Sequence, residues 1–253
     1  MLNRRHLLLG GTALALSGCK ILDSVGSEGA LRNLFTSAET LTISSQRLLG
    51  RGALAPEYTQ ADVRQGQRPN GSTDPDGDEY LALAAAGFKD YKLKITGLVD
   101  TPLSLSYADL LAMPARTQIT RHDCVEGWSC IAKWMGPQLS SVLNEAKPKL
   151  TARYAVMHCY DAIERGLSGE VLYYESIDLI DAYHPQTILA HTLNGAPLPT
   201  ANGAPLRLRV ERQLGYKQAK YVHTIELVDS FAGFGHGNGS YWADKGYEWY
   251  AGI

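Results

Sequence analysis

The sequence predicts an α+β fold in which mixed β-sheets are interspersed with helices in a single domain. From Tyr91 onward, segments that alternate polar and apolar residues outnumber segments with helical spacing. The helical segments fall between them without a regular strand–helix–strand order, which disfavours a parallel α/β sheet. No internal repeat is present, which disfavours a solenoid or a propeller. The 253 residues, 45% of them hydrophobic, are enough for a sizeable core.

The amino-terminal half combines two predicted helices with a long loop. Thr36–Leu49 carries apolar residues at helical spacing, and Ser37 can cap its first turn. Ala55–Gly77 is rich in Pro, Gly, Asn and Asp, which predicts a long loop, and loops of this length are often functional. Tyr80–Ala86 is predicted to be a short helix that ends at Gly87.

Strands and short helices then follow each other to the carboxyl terminus. The patterns predict strands at Lys92–Thr96, Thr117–Thr120, Tyr154–Cys159, Pro205–Val210 and Val222–Val228. They predict short helices at Tyr107–Leu111, Leu139–Ala146 and Ser176–Ile180. Pro185–Leu193 is extended and ends at the turn signal Asn194-Gly195.

The amino terminus predicts export from a bacterial cytoplasm. Arg4 and Arg5 precede an apolar run, Leu7–Leu16, which is too short for a transmembrane helix and is typical of a twin-arginine signal. Leu16-Ser-Gly-Cys19 resembles a lipobox, and cleavage before Cys19 would leave that residue to be acylated. An ordinary cleaved signal with an incidental cysteine is the alternative.

These features predict the organisation and the location of the chain. We expect a signal peptide with a lipobox at residues 1–18, a tether at residues 19–35 and the main domain at residues 36–253. The mature protein is expected in the periplasm, in contact with the membrane through lipidated Cys19. A net charge of −2 without any basic run disfavours nucleic acid as a partner.

Three cysteines remain once Cys19 is set aside. They are Cys124, Cys130 and Cys159, and an odd number in an oxidising compartment leaves at least one thiol outside a disulfide. A Cys130–Cys159 disulfide would leave Cys124 free to bind a metal, and the sequence does not decide this pairing. No Cys-x-x-Cys or His-x-x-x-His motif occurs, which disfavours zinc, iron–sulfur clusters and covalent haem.

The stretch from Arg121 to Cys130 concentrates side chains that carry chemistry. Cys124 lies among basic, acidic and aromatic residues, and Arg121 and His122 are expected to favour its thiolate, which is the form that binds metals or attacks substrates. A buried, inert cysteine is the alternative. A cysteine hydrolase is a third possibility, but no signature of that class appears.

The string Cys124-Val-Glu126-Gly-Trp128-Ser, followed by Trp134 and Gly136, resembles the metal-binding segment of the sulfite oxidase family of molybdopterin enzymes. Within this family it is most similar to the catalytic subunits of periplasmic methionine sulfoxide reductases. The likeness runs from Leu93 to the end of the chain. It implies a sulfite-oxidase-type fold and a molybdenum–molybdopterin cofactor with Cys124 as the single protein ligand to molybdenum.

Two further segments resemble the pterin-binding motifs of the same family. They are Asn202-Gly-Ala-Pro-Leu-Arg207 and Gly215-Tyr-Lys217-Gln-Ala-Lys220. By this resemblance Asn202, Arg207, Lys217 and Lys220 contact the pterin and its phosphate, and an arginine can grip a phosphate with two parallel hydrogen bonds. Either motif alone is weak, because a pair of lysines usually marks a solvated face.

The remaining site residues also follow from the resemblance. Glu126 is expected to approach the metal and to modulate it or relay protons, with a surface glutamate as the alternative. Arg121 is a candidate for the mouth of the cavity or for support of Cys124. Cys159 falls where relatives place a small polar residue near the pterin. Glu211 departs from the family, which usually has proline there.

The resemblance implies an enzyme that transfers an oxygen atom to or from a small S- or N-oxide or an oxidised protein side chain. Electrons would pass to or from a separate haem membrane protein or cytochrome, because the chain has no haem or flavin motif of its own. We expect a monomer, since no immunoglobulin-like dimerisation module follows Val228. The alternatives are a sulfite dehydrogenase that reduces a cytochrome, and a lipid-anchored binding protein without catalysis.

Overall fold

Alternating apolar and polar residues build the largest sheet of the protein. The computed structural model describes residues 28–166 and 169–253. Strand β1 (Lys92–Gly97) buries Leu93 and Ile95 and exposes the alternating Lys92 and Lys94. With β2 (Leu103–Ser106), β5 (Tyr154–Gly166), β6 (Gly169–Asp178) and β11 (Val222–Val228) it forms a sheet of order β2-β1-β11-β5-β6. Only the pairing of β1 with β11 is parallel, so the sheet is mixed, as predicted.

A second sheet carries the central cysteine. Strands β3 (Ala115–Cys124) and β4 (Trp128–Pro137) form a long hairpin, which the short strands β8 (Thr192–Leu193) and β9 (Ala196–Pro197) extend. The pair β7 (Ile188–Ala190) and β10 (Arg207–Arg209) packs beside it. Gly136 permits this packing, because a Cβ there would overlap the carbonyl oxygen of Leu189.

Helices are short in the body of the protein, Gly52–Ile253, which is one of the two compact units of the chain. They are α2 (Asp78–Ala85), α3 (Tyr107–Ala112), α4 (Leu139–Ala146), α5 (Leu179–Ala182) and α6 (Tyr241–Asp244), with 3-10 turns at Gln60–Asp62, Thr200–Asn202 and Gly215–Lys217. Helix α4 buries Leu139, Val142, Leu143 and Ala146 in the main core. Four buried apolar side chains on one face hold this helix to the sheet, because each large buried side chain contributes about 1.5–3 kcal/mol.

The other unit, Met1–Arg51, contains helix α1 (Glu28–Gly50). This helix begins before the predicted boundary at Thr36, since no proline interrupts the sequence after Glu28. The predicted signal peptide and Cys19 lie outside the described residues. Among the residues that are described, no helix is both long and apolar enough to span a bilayer.

Two other sequence-based expectations require correction. The helix predicted at Ser176–Ile180 is wrong: Ser176 belongs to β6 and pairs with Val156, and the helix starts only at Leu179, after the capping residue Asp178. Strand β4 was not predicted, although it is half of the hairpin that ends in Cys124. Pairing with β5 overrides local helical preference in the first case, because it supplies partners for the backbone amides of β6.

Candidate active site

The tip of the β3–β4 hairpin presents Cys124. The residue closes the ladder opposite Trp128, and its carbonyl oxygen accepts a hydrogen bond from the amide of Gly127 at 3.0 Å. Gly127 has φ +82°, a conformation that favours glycine, so the turn needs this residue. Cys124 is a half-buried free thiol, and Cys130 and Cys159 are buried free thiols. The possible Cys130–Cys159 disulfide is therefore not formed in this structure.

The surroundings of Cys124 do not favour its thiolate. Burial raises the pKa of the thiol, and the Glu126 carboxylate adds to this effect while backbone hydrogen bonding opposes it. Arg121 does not compensate, because its guanidinium pairs with Asp123 at 2.9 Å and more than half of its side chain is exposed. The expectation that Arg121 and His122 stabilise the thiolate is thus not met, and a bound cation is the group that would stabilise it.

Cys124 opens into a cavity of about 140 Å³. Cofactor and ligand sites commonly enclose about 300–1,000 Å³, so the case for a molybdopterin rests on the chemistry of the walls and not on the volume. The walls come from the long loop, the β3–β4 turn, β5, β6 and the segments after β10. The lining residues are Asn70, Gly71, Ser72, Cys124, Val125, Glu126, Asp161, Ile163, Tyr173, Tyr216, Gln218, Lys220, Trp242 and Tyr247.

Two buried cations lie at the inner end of this region. Arg207 is 1% exposed and donates to the carbonyl oxygens of Asn202 at 2.9 Å and Gln218 at 3.3 Å, and to Asn70 Oδ1 at 3.3 Å. Lys220 is 4% exposed and donates to the carbonyl oxygens of Ser72 and Ala201. Among the described residues, neither cation forms an ion pair with a carboxylate. Buried charges without a counter-ion are costly, so both predict an anionic ligand.

The protonation of these cations reflects their burial. Burial lowers the pKa of Lys220 to about 7, and the nearby charge of Arg207 contributes to this lowering. Burial and the charge of Arg209 lower the pKa of Arg207 to about 9. A phosphate placed between the two side chains would oppose both shifts, because an opposite charge favours the charged form.

Gly203 lets the predicted phosphate-binding residues come together. It has φ +112°, and a Cβ there would lie 2.9 Å from the Lys220 side chain and 3.2 Å from Cβ of Arg207. Asn202, just before it, is buried, and its Nδ2 has no hydrogen-bond partner. Arg207 Nε is likewise buried and unpartnered. These free donors fit the acceptor oxygens of a phosphate and a pterin.

Asp161 was not predicted from the sequence, and it adds an acceptor to the same cavity. The residue is 3% exposed; Oδ2 accepts a hydrogen bond from the Ser72 hydroxyl, and Oδ1 has no partner. Burial raises the pKa of its carboxyl group. A pterin ring carries N–H donors from which an unpartnered carboxylate oxygen can accept hydrogen bonds, so the donor and acceptor set of the cavity fits molybdopterin.

Asn70 and Ser72 were also missed, although Pro69-Asn70-Gly71 marks a turn in the loop that the sequence identified as functional.

Glu126 lies at the mouth of the cavity. Its Oε2 accepts a hydrogen bond from the indole of Trp128 at 2.9 Å and lies 3.5 Å from the guanidinium of Arg68. The Arg68 guanidinium also stacks over the Trp128 ring at 5.1 Å. The carboxylate is therefore oriented by two neighbours beside Cys124, and its predicted role in modulating the metal or moving protons remains a prediction.

Five of the predicted site residues do not line the cavity. Two of them, Asn202 and Arg207, lie beside it, because Arg207 donates to Asn202 and to the lining residues Asn70 and Gln218. Lys217 points into the core, where its ammonium pairs with Glu175 and donates to the carbonyl oxygen of Ser176 at 2.8 Å. Lys217 is the last residue of the 3-10 turn Gly215–Lys217, and its side chain points away from that of Lys220. Arg121 borders a separate surface pocket with Cys130. Cys159 is fully buried on β5 and borders a third cavity.

Comparison with known proteins gives the family. Residues 81–233 match the model of the oxidoreductase molybdopterin binding domain. The chain is 34% identical over 98% of its length to the "Putative protein-methionine-sulfoxide reductase subunit YedZ1" of Azospira oryzae, of which it covers 86%. It is 36% identical to the "Protein-methionine-sulfoxide reductase catalytic subunit MsrP" of Ralstonia nicotianae, over 55% of the chain and 44% of that protein.

A second MsrP and a solved structure agree with this result. The MsrP of Xanthomonas campestris pv. campestris is 37% identical over 60% of the chain and 49% of that protein, so the chain spans about half the length of these MsrP relatives. The crystal structure of the sulfane dehydrogenase SoxCD from Paracoccus pantotrophus superposes with a TM-score of 0.50 at 25% identity, over 56% of this chain and 39% of that one. The chain therefore belongs to the oxidoreductase molybdopterin binding domain family and is a molybdopterin-dependent oxidoreductase.

Proposed function

We propose that this chain is the catalytic subunit of an exported molybdenum–molybdopterin enzyme that reduces the S-oxide of methionine, free or within proteins. The family membership and the names of the relatives support the reaction class. The cavity that Cys124 shares with Lys220, and the buried Arg207 beside it, support the cofactor. The choice of substrate rests on one observation, the chemical character of the cavity wall near Cys124.

That wall is apolar and carries little positive charge. Val125, Ile163, Trp242 and Tyr247 line it, and about two fifths or more of Val125 and Tyr247 is exposed. The charged lining residues are Glu126, Asp161 and Lys220, and none of the described lining residues is an arginine. The apolar side chains of this wall suit a thioether S-oxide, which is neutral and has apolar substituents, better than they suit a small anion such as sulfite.

The residues of the chain take distinct parts in this proposal. Cys124 would bind molybdenum through its thiolate, and Arg207, Lys220 and Asn202 would hold the phosphate end of the pterin. The cofactor, when bound, supplies two-electron oxygen-atom chemistry. The net reaction consumes one S-oxide, two protons and two electrons, and yields one thioether and one water. Glu126, oriented at the mouth, is the carboxyl group placed to pass protons inward.

Electrons must come from another protein. We propose a separate carrier, a haem-containing membrane protein or a cytochrome, because the chain has no haem or flavin motif.

We also propose that twin-arginine export delivers the folded holoenzyme to the periplasm, where Cys19 carries a lipid. Replacement Cys19→Ala is expected to move the enzyme from the membrane fraction to the soluble periplasm with unchanged activity per molybdenum. Membrane-bound Cys19→Ala protein would argue against the lipid anchor.

A direct assay separates the candidate reactions. The exported protein, purified with its metal, is supplied with a reduced viologen dye and methionine S-oxide, and dye oxidation is followed. In parallel it is supplied with sulfite and oxidised cytochrome c. We expect fast S-oxide reduction and slow sulfite oxidation. The reverse preference would establish the sulfite dehydrogenase alternative, and a molybdenum-free protein without turnover would support a binding protein.

A further inference from the structure

A chain of buried hydrogen bonds lies behind the strand that ends in Cys124. The Arg209 guanidinium forms two parallel bonds with the Glu211 carboxylate, Nε to Oε1 at 2.9 Å and Nη2 to Oε2 at 2.6 Å. Neither side chain is exposed to solvent. The same guanidinium reaches His122 of β3, with 2.9 Å between Nη1 and Nδ1. Arg209 thus joins a buried carboxylate to an imidazole two residues from the predicted metal ligand.

The direction of these bonds fixes the form of the imidazole. A guanidinium has only donors, so Nδ1 of His122 must be the acceptor and the ring hydrogen must sit on Nε2. The Arg209 guanidinium is held in place, because its Nε and Nη2 bond to Glu211 and it lies over the Trp134 ring, with 4.3 Å between Cζ and the ring centroid. Gln118 holds the carboxylate in turn, donating from Nε2 to Glu211 Oε1 at 2.9 Å.

A complementary group lies near the free end of the imidazole. His122 Nε2 and Gln218 Oε1 are both buried, and neither has a hydrogen-bond partner. Both residues adjoin Gly215, because a Cβ there would lie 2.5 Å from His122 Nε2 and the backbone amide of Gln218 donates to the Gly215 carbonyl oxygen at 3.2 Å. The Gln218 amide is oriented, because its Nε2 donates to the carbonyl oxygen of Gln213 at 3.2 Å, which leaves Oε1 as an acceptor. Gln218 lines the same cavity as Cys124.

We propose that the Glu211–Arg209–His122 chain is a positioning device that aims the Nε2–H of His122 at the Gln218 amide and so fixes a polar group of the cavity wall beside Cys124. The device concerns the shape of the wall and holds for whichever oxide the enzyme reduces. A small shift of such supporting groups commonly changes metal affinity or activity by roughly 10–100-fold.

The tautomer can be measured without any assay of activity. Protein labelled with 15N-histidine is compared with its His122→Gln variant, so that the difference spectrum assigns the two ring nitrogens of His122. We expect Nδ1 to show the chemical shift of an unprotonated ring nitrogen and Nε2 that of a protonated one. A hydrogen on Nδ1 overturns the proposal, and it does so even if methionine S-oxide is not the substrate.

Coupling between the ion pair and His122 is tested by a double-mutant cycle on the molybdenum-loaded enzyme. The double variant Arg209→Met/Glu211→Met removes both charges together, because loss of one alone would leave the other buried and unpaired. We expect kcat to fall roughly tenfold or more with KM changed less than about twofold. In the His122→Gln background, where a glutamine amide supplies the N–H without Arg209, the same double change should leave kcat nearly unaltered.

A matched control separates positioning from general packing. His191 is another buried histidine, 4% exposed and hydrogen-bonded to Thr192, and it lies outside the cavity. His191→Gln is expected to keep kcat within about twofold of the wild type. An equal loss of kcat on replacing the ion pair in the wild-type and His122→Gln backgrounds, or no loss in either, would overturn the proposal. If the double variant does not fold, the tautomer measurement decides.

Discussion

Cys124 is the predicted metal ligand, although the protein alone raises the pKa of its thiol. Burial and the Glu126 carboxylate both disfavour the thiolate, so the deprotonated form depends on the metal. This differs from a cysteine nucleophile, for which a neighbouring base or cation lowers the pKa of the thiol. The raised pKa of the thiol therefore disfavours a cysteine hydrolase.

Replacement Cys124→Ser is the most direct test at the residue scale. The only predicted protein ligand is lost, so we expect the exported protein to lose most of its molybdenum and its activity to fall by at least about a hundredfold. Metal analysis and the dye assay measure the two effects. The matched control is Cys130→Ser, which alters a buried thiol outside the cavity and should keep both properties. Full molybdenum content in Cys124→Ser would contradict the assignment of Cys124 as the metal ligand.

Lys220 predicts a pH dependence in the cofactor-free protein. Burial lowers its pKa to about 7 from an ordinary value of 10.5. Between these values the unfolded chain binds a proton that the folded chain lacks, so the contribution of this group to the free energy of unfolding rises as pH rises through that window. Urea unfolding of wild type and Lys220→Met at pH 7 and pH 9 measures the difference. We expect the free energy of unfolding of the wild type, relative to that of Lys220→Met, to be larger at pH 9 than at pH 7. Equal pH dependences of the two proteins would contradict the lowered pKa.

At the scale of elements, the sequence predicted more of the strands than of their pairing. Alternation located β1, β5 and β11, but it missed β6 and also β4, although β4 pairs with the preceding strand β3 across a short turn. The helix predicted at Ser176–Ile180 failed because pairing with β5 places Ser176 in a strand. Local pattern indicates which residues favour burial, whereas register and partner depend on contacts distant in sequence.

The candidate site shows the same division. Motifs identified Cys124 and Lys220, which line one cavity, and also Arg207 and Asn202, which lie beside it. Asp161 and the Arg209–His122 contact were not, because neither follows a motif and both depend on strands that meet only in the fold. Lys217 shows the converse, since a motif lysine can point into the core when it lies in a turn.

Gly215 joins the 3-10 turn to strand β3, which gives a prediction at this scale. A Cβ there would lie 2.5 Å from His122 Nε2 and 3.1 Å from the carbonyl oxygen of Asp123, so Gly215→Ala must displace the imidazole or the turn. We expect a loss of about 1–3 kcal/mol in the free energy of unfolding, measured by urea titration. Gly233→Ala is the control, because no atom lies within 4 Å of its added methyl group. Equal stability of the two variants would show that β3 and the turn separate easily.

For the whole molecule, the buried cations link cofactor binding to folding. Arg207 and Lys220 come from the segment after β9, Asp161 comes from β5 and Cys124 from the other sheet, so one ligand would tie together parts of the chain that are distant in sequence. Without that ligand the cations are buried without a counter-ion, which costs free energy in the folded state. The cofactor is therefore expected to act as a structural element as well as a reagent.

This linkage predicts that the holoenzyme unfolds at a higher temperature than the cofactor-free protein. A ligand present at about 100 to 1,000 times its Kd stabilises the folded state by about 3–4 kcal/mol. For a domain of this size that corresponds to a rise in Tm of roughly 6–16 °C. Calorimetry of the exported protein, compared with protein made in a strain unable to synthesise molybdopterin, gives the difference. Arg207→Met should reduce this difference in Tm, because the variant removes one of the cations that the phosphate neutralises. Equal Tm values for the holoenzyme and the cofactor-free protein would mean that the basic residues do not contact the cofactor.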